Sequence, residues 1–279
     1  MDGILIINKP KGYTSHDVVN VIRKKLNIKK VGHTGTLDPN ATGVLPILVG
    51  QATKISKYLI EHDKTYVAKL NLGEKTSSGD VEGEIIEKKD VPTSLNEEYI
   101  SEILTSFRGK QKQIHPVYSA IKVNGKKAYE YARENKEIKL EAREIEIYKL
   151  DLIQFIENEI TFEVECSKGT YIRTLCEDIA DKLGTVGFMK ELERKKVNIF
   201  TIENAINLED VSEKEIISIE KVFEDREKIF LNERKLELFL NGVKIQSNFK
   251  DALYSIYSEN NFIGLGIVKD GNLKRDVII

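Results

Sequence analysis

Apolar and polar residues recur along this chain with two different periods. Gly3–Asn8 is a short β-rich run stopped by the turn signal Lys9-Pro10-Lys11-Gly12. Val18, Val19, Ile22 and Leu26 then fall on one helical face, with Ser15 as a candidate N-cap and Arg23, Lys24 and Lys25 outside. Gly32–Pro46 reads as a loop dense in Gly, Thr and Pro. Thr65–Leu72 alternates, putting Tyr66, Ala68, Leu70 and Leu72 on one strand face. Residues 94–107 predict a helix closed by Gly109, and Thr161–Cys166 alternates again as a strand. After the turn Lys168-Gly169-Thr170, a stripe of Ile172, Leu175, Cys176, Ile179 and Leu183 predicts a buried helix face ended by Gly184. From about residue 226 the pattern becomes strands (Ala252–Tyr257, Phe262–Val268) and a hairpin signal at Asp270-Gly271. Strands and helices mix without a βαβ rhythm. The expected fold is therefore α+β: a largely antiparallel sheet flanked by helices over residues 1–225, and a small β module over 226–279.

Composition narrows the class. The 279 residues are 41% hydrophobic and 32% charged, a globular balance. Two cysteines, Cys166 and Cys176, cannot build a disulfide framework and suit a reducing compartment. Ile4–Ile7 is too short for the apolar core of a secretion signal, and no apolar run approaches the roughly 18 residues of a membrane span. A cytoplasmic protein without a membrane partner is expected. The formal net charge of −2 argues at first against a nucleic-acid partner. It averages over blocks: +6 for residues 1–60, −6 for 61–107, +6 for 108–143 and −8 beyond. The two basic blocks are either ordinary solvated faces or, brought together by folding, one basic surface beside a site.

Several kinds of chemistry lack their residues. No Gly-x-x-x-x-Gly-Lys-[Ser/Thr] or Gly-x-Gly-x-x-Gly cradle exists for a nucleotide cofactor, and the Cys and His spacing fits no zinc site. Ser15-His16-Asp17 are neighbours, which cannot face one another as a triad. The informative stretch is Gly32-His33-Thr34-Gly35-Thr36-Leu37-Asp38-Pro39-Asn40-Ala41-Thr42-Gly43-Val44-Leu45-Pro46. Its glycines let backbone approach a ligand closely, and Pro39 stiffens the chain after a lone carboxylate. By residue type alone, Asp38 suits an Asx turn that satisfies local amides as readily as a catalytic role.

That stretch resembles the active-site motif of bacterial TruB-type tRNA pseudouridine synthases. Five further blocks are similar to that family in the same order: Asn8–Ser15, Lys64-Thr65-Tyr66, Gly79–Glu84, Tyr118–Lys122 and Ser167–Leu175. Two stretches depart from the family pattern, Ile114-His115-Pro116 and Glu193–Phe200. The resemblance implies isomerisation of uridine to pseudouridine at position 55 in the T-arm loop of tRNA, without cofactor or metal, by a protein expected to be a monomer. It implies Asp38 as the catalytic carboxylate, Arg173 as its partner, and Tyr66 against the target uracil with a hydroxyl able to shuttle a proton. Tyr171 and Leu192 would line the uridine pocket, and His33 would stack in place of the extruded base. Lys9, Lys11, Arg23, Lys24 and Lys122 are candidate phosphate contacts. The C-terminal module occupies the place of a PUA-like RNA-binding domain. Two other readings stay open: a non-catalytic RNA-binding or tRNA-folding factor on the same scaffold, and a hydrolase with paired carboxylates.

Overall fold

The computed structural model describes residues 2–60, 62–119, 122–123, 125–134, 136, 138 and 140–279. In chain order the first half holds β1 (Gly3–Lys9), α1 (Ser15–Leu26), β2 (Val31–His33), β3 (Thr42–Val49), α2 (Lys57–Ile60), β4 (Lys64–Leu72), β5 (Glu74–Thr76), β6 (Ile85–Lys88), α3 (Glu97–Thr105), β7 (Gly109–Ile114), β8 (Lys122–Val123), β9 (Lys126–Lys127) and α4 (Ala128–Arg133). Then come β10 (Ala142–Ile156), β11 (Glu159–Cys166), α5 (Ile172–Lys182), β12 (Gly187–Val197), β13 (Phe200–Thr201), β14 (Ile206–Asn207), β15 (Ile217–Ser218), α6 (Ile219–Val222), β16 (Lys228–Phe230), α7 (Glu233–Leu240), β17 (Ile245–Gln246), β18 (Ala252–Ser258), β19 (Asn261–Lys269) and β20 (Asn272–Ile278). The main sheet runs β14-β1-β3-β12-β4-β11-β10-β7. It is mixed but mostly antiparallel, with parallel pairing where β14 meets β1 and where β12 meets β3. Among the described residues, no helix is long and apolar enough to cross a membrane.

One face of this sheet carries the helices and two of its apolar cores. Tyr66, Ala68, Leu70 and Leu72 of β4 pack with Phe162 and Val164 of β11 and with Leu175, Cys176 and Ile179 of α5. On the same face Leu5, Ile7, Leu45 and Ile47 receive Val18, Val19 and Ile22 of α1. On the reverse face, Ile4, Ile6, Val44 and Leu48 are covered by Leu265 and Val277 of the second sheet, β16-β18-β19-β20-β17. Where that cover stops, the reverse face meets solvent. There Lys69 pairs with Glu159 and Glu191, and Lys149 pairs with Glu163, as cross-strand ion pairs on a wetted sheet face do.

Three local expectations change. The N-cap of α1 is Thr14, which accepts from the Asp17 amide while Asp17 accepts from Thr14 in return. Ser15 is thereby free to bond elsewhere. Thr42–Pro46 belongs to β3 rather than to a loop: it is sandwiched between the two faces' cores, where an unpaired backbone would be costly. The third concerns charge. Register puts Lys110 and Lys112 beside Glu146 and Glu144, on the face opposite Ile145, Ile147 and the helices. These two lysines of the second basic block therefore point away from the helix-bearing face, whereas Arg143 shares the face of Ile145 and Ile147.

Candidate active site

The loop between β2 and β3 is pinned at several backbone points, from β1, from the turn after it, from α1 and from within the loop. Ser15 Oγ accepts from the Leu37 amide at 2.9 Å and donates to the Leu37 carbonyl at 3.2 Å. The Gly12 amide donates to the Pro39 carbonyl at 2.9 Å. Lys9 Nζ donates to the carbonyls of Pro10, Tyr13 and Pro39 at 3.0, 2.6 and 3.0 Å. The Asp38 carbonyl closes a tight turn with the Ala41 amide at 3.1 Å. The carboxylate is left for a distant partner instead of an Asx turn.

That partner is Arg173. Its Nε lies 3.2 Å from Asp38 Oδ2 and its Nη1 lies 3.5 Å from Asp80 Oδ2. The same guanidinium donates to the Ser78 carbonyl at 3.1 Å and the Tyr118 carbonyl at 2.9 Å. Asp80 is itself held by Ser78 Oγ at 2.6 Å and the Glu82 amide at 3.0 Å. Arg173 sits in the first turn of α5 with 8% exposure, so the helix stripe that buries Ile172 and Leu175 carries it inward. Burial pushes the Asp38 carboxyl above the ordinary aspartate range; Arg173 opposes this, Asp80 adds to it and Lys9 opposes it.

Asp38, Tyr66, Tyr171, Arg173 and Leu192 line one cavity of about 470 Å³, together with Lys64, Tyr118, Met189 and Arg194. This is within the roughly 300–1,000 Å³ range of small-ligand pockets. Tyr66 is 7% exposed, and burial raises its hydroxyl pKa while Arg194 opposes that rise. Tyr171 caps α5, its amide and carbonyl both bonded to the Gln113 side chain at 2.8 and 3.0 Å. Its ring meets His115 edge-on with centroids 5.4 Å apart, so the His115 departure shapes the pocket wall. Lys64 is held by the His62 carbonyl, and burial together with Arg194 lowers its pKa to about 8. His33, at the end of β2, has a buried Nδ1 without a hydrogen-bond partner, and burial lowers its pKa. Among the described residues, no group of three or more His, Cys, Asp or Glu side chains is arranged to hold a metal ion.

The candidate phosphate contacts divide. Lys9 is corrected: it is 0% exposed, its ammonium is spent on three carbonyls, and burial lowers its pKa to about 8, so it cannot meet a phosphate. Arg23 is half-buried and ties α1 to β2 through the Val31 carbonyl at 2.9 Å. Lys24 is exposed, but lies about 13 Å along α1 from Ser15 at 1.5 Å per residue. Lys11 is exposed and borders a cleft with Asn40 and Thr42. Lys122 lies in β8, and its side chain is outside the described residues, as are Ala120 and Ile121 of its block.

Sequence reasoning passed over Arg194 and gave Asp80 no role. The available signal was positional: Leu192 and Arg194 alternate inward on a strand, and an inward Arg demands buried acceptors.

A family model for the N-terminal domain of TruB family pseudouridylate synthases matches residues 23–172, and one for the C-terminal domain of tRNA pseudouridylate synthase B matches residues 173–237. The chain belongs to the TruB family of pseudouridylate synthases. It is 45% identical to tRNA pseudouridine synthase B of Alkaliphilus oremlandii, over 97% of this chain and 94% of that one. To tRNA pseudouridine synthase B of Clostridium tetani it is 44% identical, over 95% of each chain. Among solved structures, it is similar to a chain of a Cbf5-Nop10-Gar1 complex, with a TM-score of 0.72 and 26% identity over 99% of this chain and 83% of that one. A chain of an H/ACA RNP bound to a substrate RNA containing 2′-deoxyuridine shares the fold, with a TM-score of 0.72 and 24% identity over 99% of this chain and 85% of that one. The α+β pseudouridine synthase fold expected from the sequence is the fold found.

Proposed function

We propose that this protein isomerises uridine to pseudouridine at position 55 in the T-arm loop of tRNA, with Asp38 as the essential carboxylate. The observation that carries this reading is Asp38, ion-paired to a buried arginine, on the wall of a nucleoside-sized cavity floored by Tyr66. The reaction breaks the bond from ribose C1′ to uracil N1 and forms one from C1′ to C5. The C5 hydrogen is lost to solvent and N1 gains one, so nothing is oxidised or reduced and no cofactor is needed. Asp38 meets the electron-poor sugar or ring, and Arg173 keeps it ionised against burial. Tyr66 lies under the uracil, where its hydroxyl passes the moving proton. Tyr171 and Leu192 close the pocket around a base that must not escape between the two bond changes. His33 fills the gap left in the RNA loop by the extruded base. Lys11 and Lys24 meet phosphates, and the module from about residue 226 adds RNA contacts, in the cytoplasm where tRNA matures.

The test is tritium release from a T-arm stem-loop RNA carrying 5-[³H]-uridine, followed by mapping of the modified position. The wild-type chain should release label and place pseudouridine at position 55. Asp38→Asn should lose at least about 10³-fold in rate. Wild-type rate in that variant would sink the assignment, and binding without any release of label would favour a non-catalytic RNA factor. Free uracil as product would favour a hydrolase.

A further inference from the structure

Arg194 is 1% exposed, yet its hydrogen-bond partners are backbone carbonyls rather than a carboxylate. Nε donates to the Val44 carbonyl at 2.8 Å, Nη2 to the Gly35 carbonyl at 3.1 Å, and Nη1 reaches the Thr36 carbonyl at 3.5 Å. Arg194 and Tyr66 also line the same cavity. Tyr66 is its direct register partner across β12 and β4, and Gly43 its partner on β3. One side chain thus holds β3 and the loop two residues before Asp38, and stands beside Tyr66. A guanidinium has donors only. Beside it, Tyr66 Oη can act only as an acceptor toward the guanidinium, which leaves the tyrosine's own hydrogen for the cavity.

We propose that Arg194 is a positioning residue of the isomerisation, fixing the Asp38 loop relative to the Tyr66 hydroxyl and holding that hydroxyl as a proton carrier aimed at the bound base. The inference rests on the functional reading above and assigns Arg194 a part that binding alone would not need. When the Tyr66 proton leaves, the same guanidinium stands against the oxygen that gains charge. A purely architectural arginine would be satisfied by its three carbonyls, and its place beside Tyr66 in the cavity would be incidental.

The experiment measures single-turnover rates on T-arm stem-loop RNA for Arg194→Met and Arg194→Lys, each also combined with Tyr66→Phe. Arg194→Lys keeps a buried donor and guards against simple misfolding, which thermal unfolding checks. Arg194→Lys should lower the rate constant by at least about tenfold, within the roughly 10²–10⁴-fold span of a proton-transfer role. The RNA dissociation constant should move by less than about threefold, which separates a chemical effect from lost binding. In the Tyr66→Phe background the same change should cost under about threefold, because the hydroxyl it serves is gone. Wild-type rate in Arg194→Lys, a loss confined to RNA binding, or an equal penalty in both backgrounds would overturn the proposal. The wild-type chain is the control for the reading beneath it: absence of pseudouridine there would overturn that reading first, and this proposal with it.

Discussion

Asp38 pairs with a cation it must share. Arg173 bridges Asp38 and Asp80, so the pair of carboxylates carries one charge more than the guanidinium cancels, and burial does the rest. A carboxyl whose pKa is raised by folding weakens the fold wherever it is ionised; the penalty is complete above its folded pKa and vanishes as pH falls to the ordinary value near about 4. Asp38→Asn should therefore melt no lower than wild type at pH 7, and any advantage should fade on acidification; a melting temperature clearly below wild type would contradict this. Under the proposed mechanism, activity and stability pull in opposite directions at this residue. Asp38, Tyr66 and Arg173 were legible in the sequence because their surrounding motifs are distinctive, and the structure brings all three to one cavity. Arg194 was not legible: it stands in Glu193-Arg194-Lys195-Lys196, which looks like a solvated charge run until the strand register turns it inward. Lys9 misled in the other direction. A basic residue beside a glycine turn reads as a phosphate ligand, but three nearby carbonyls had already claimed it.

At the scale of elements, helices with clear apolar stripes were readable to within a few residues. The predicted stripe of Ile172, Leu175, Cys176 and Ile179 is the buried face of α5. β3 was the exception, because Thr, Gly and Pro carry turn preferences that tertiary packing overrode. Gly43 explains how that strand is tolerated. Its φ is +101°, and a Cβ there would sit 2.3 Å from the Arg194 carbonyl oxygen, so β3 can meet β12 only with hydrogen at that position. Gly43→Ala should cost about 2 kcal/mol or more, from the strained conformation and the clash together. Urea midpoints would check it, and a loss under about 0.5 kcal/mol would show that the strands can part without penalty. The shift of the α1 cap to Thr14 has a similar logic: Ser15 is spent on the Leu37 backbone, which a sequence cannot reveal because the two lie 22 residues apart.

For the whole molecule, alternation and block motifs pointed to the α+β fold, whereas the placement of charge did not follow from its order in the chain. Lys110 and Lys112 fall on the reverse of the sheet and Arg108 pairs with Asp151, whereas Arg143 lies on the helix-bearing face against Gly169 of the cavity wall, so neighbours in this basic block part to opposite faces. The C-terminal module was likewise readable as strands, but not as a partner of β1 and β3. Leu265 and Val277 share a core with Ile4, Ile6, Val44 and Leu48, while Lys57 and Tyr58 of α2 both bind Asp276 of β20. Calorimetry should accordingly show one melting transition with equal van't Hoff and calorimetric enthalpies, and two resolved peaks would count against a shared core. β1 and β3 also bracket Lys9 and the loop that carries Asp38. Trimming the chain after residue 225 would therefore not leave a smaller enzyme with weaker grip on RNA: it would strip the oil from one side of the two strands that frame the chemistry, and leave a sticky, insoluble remnant.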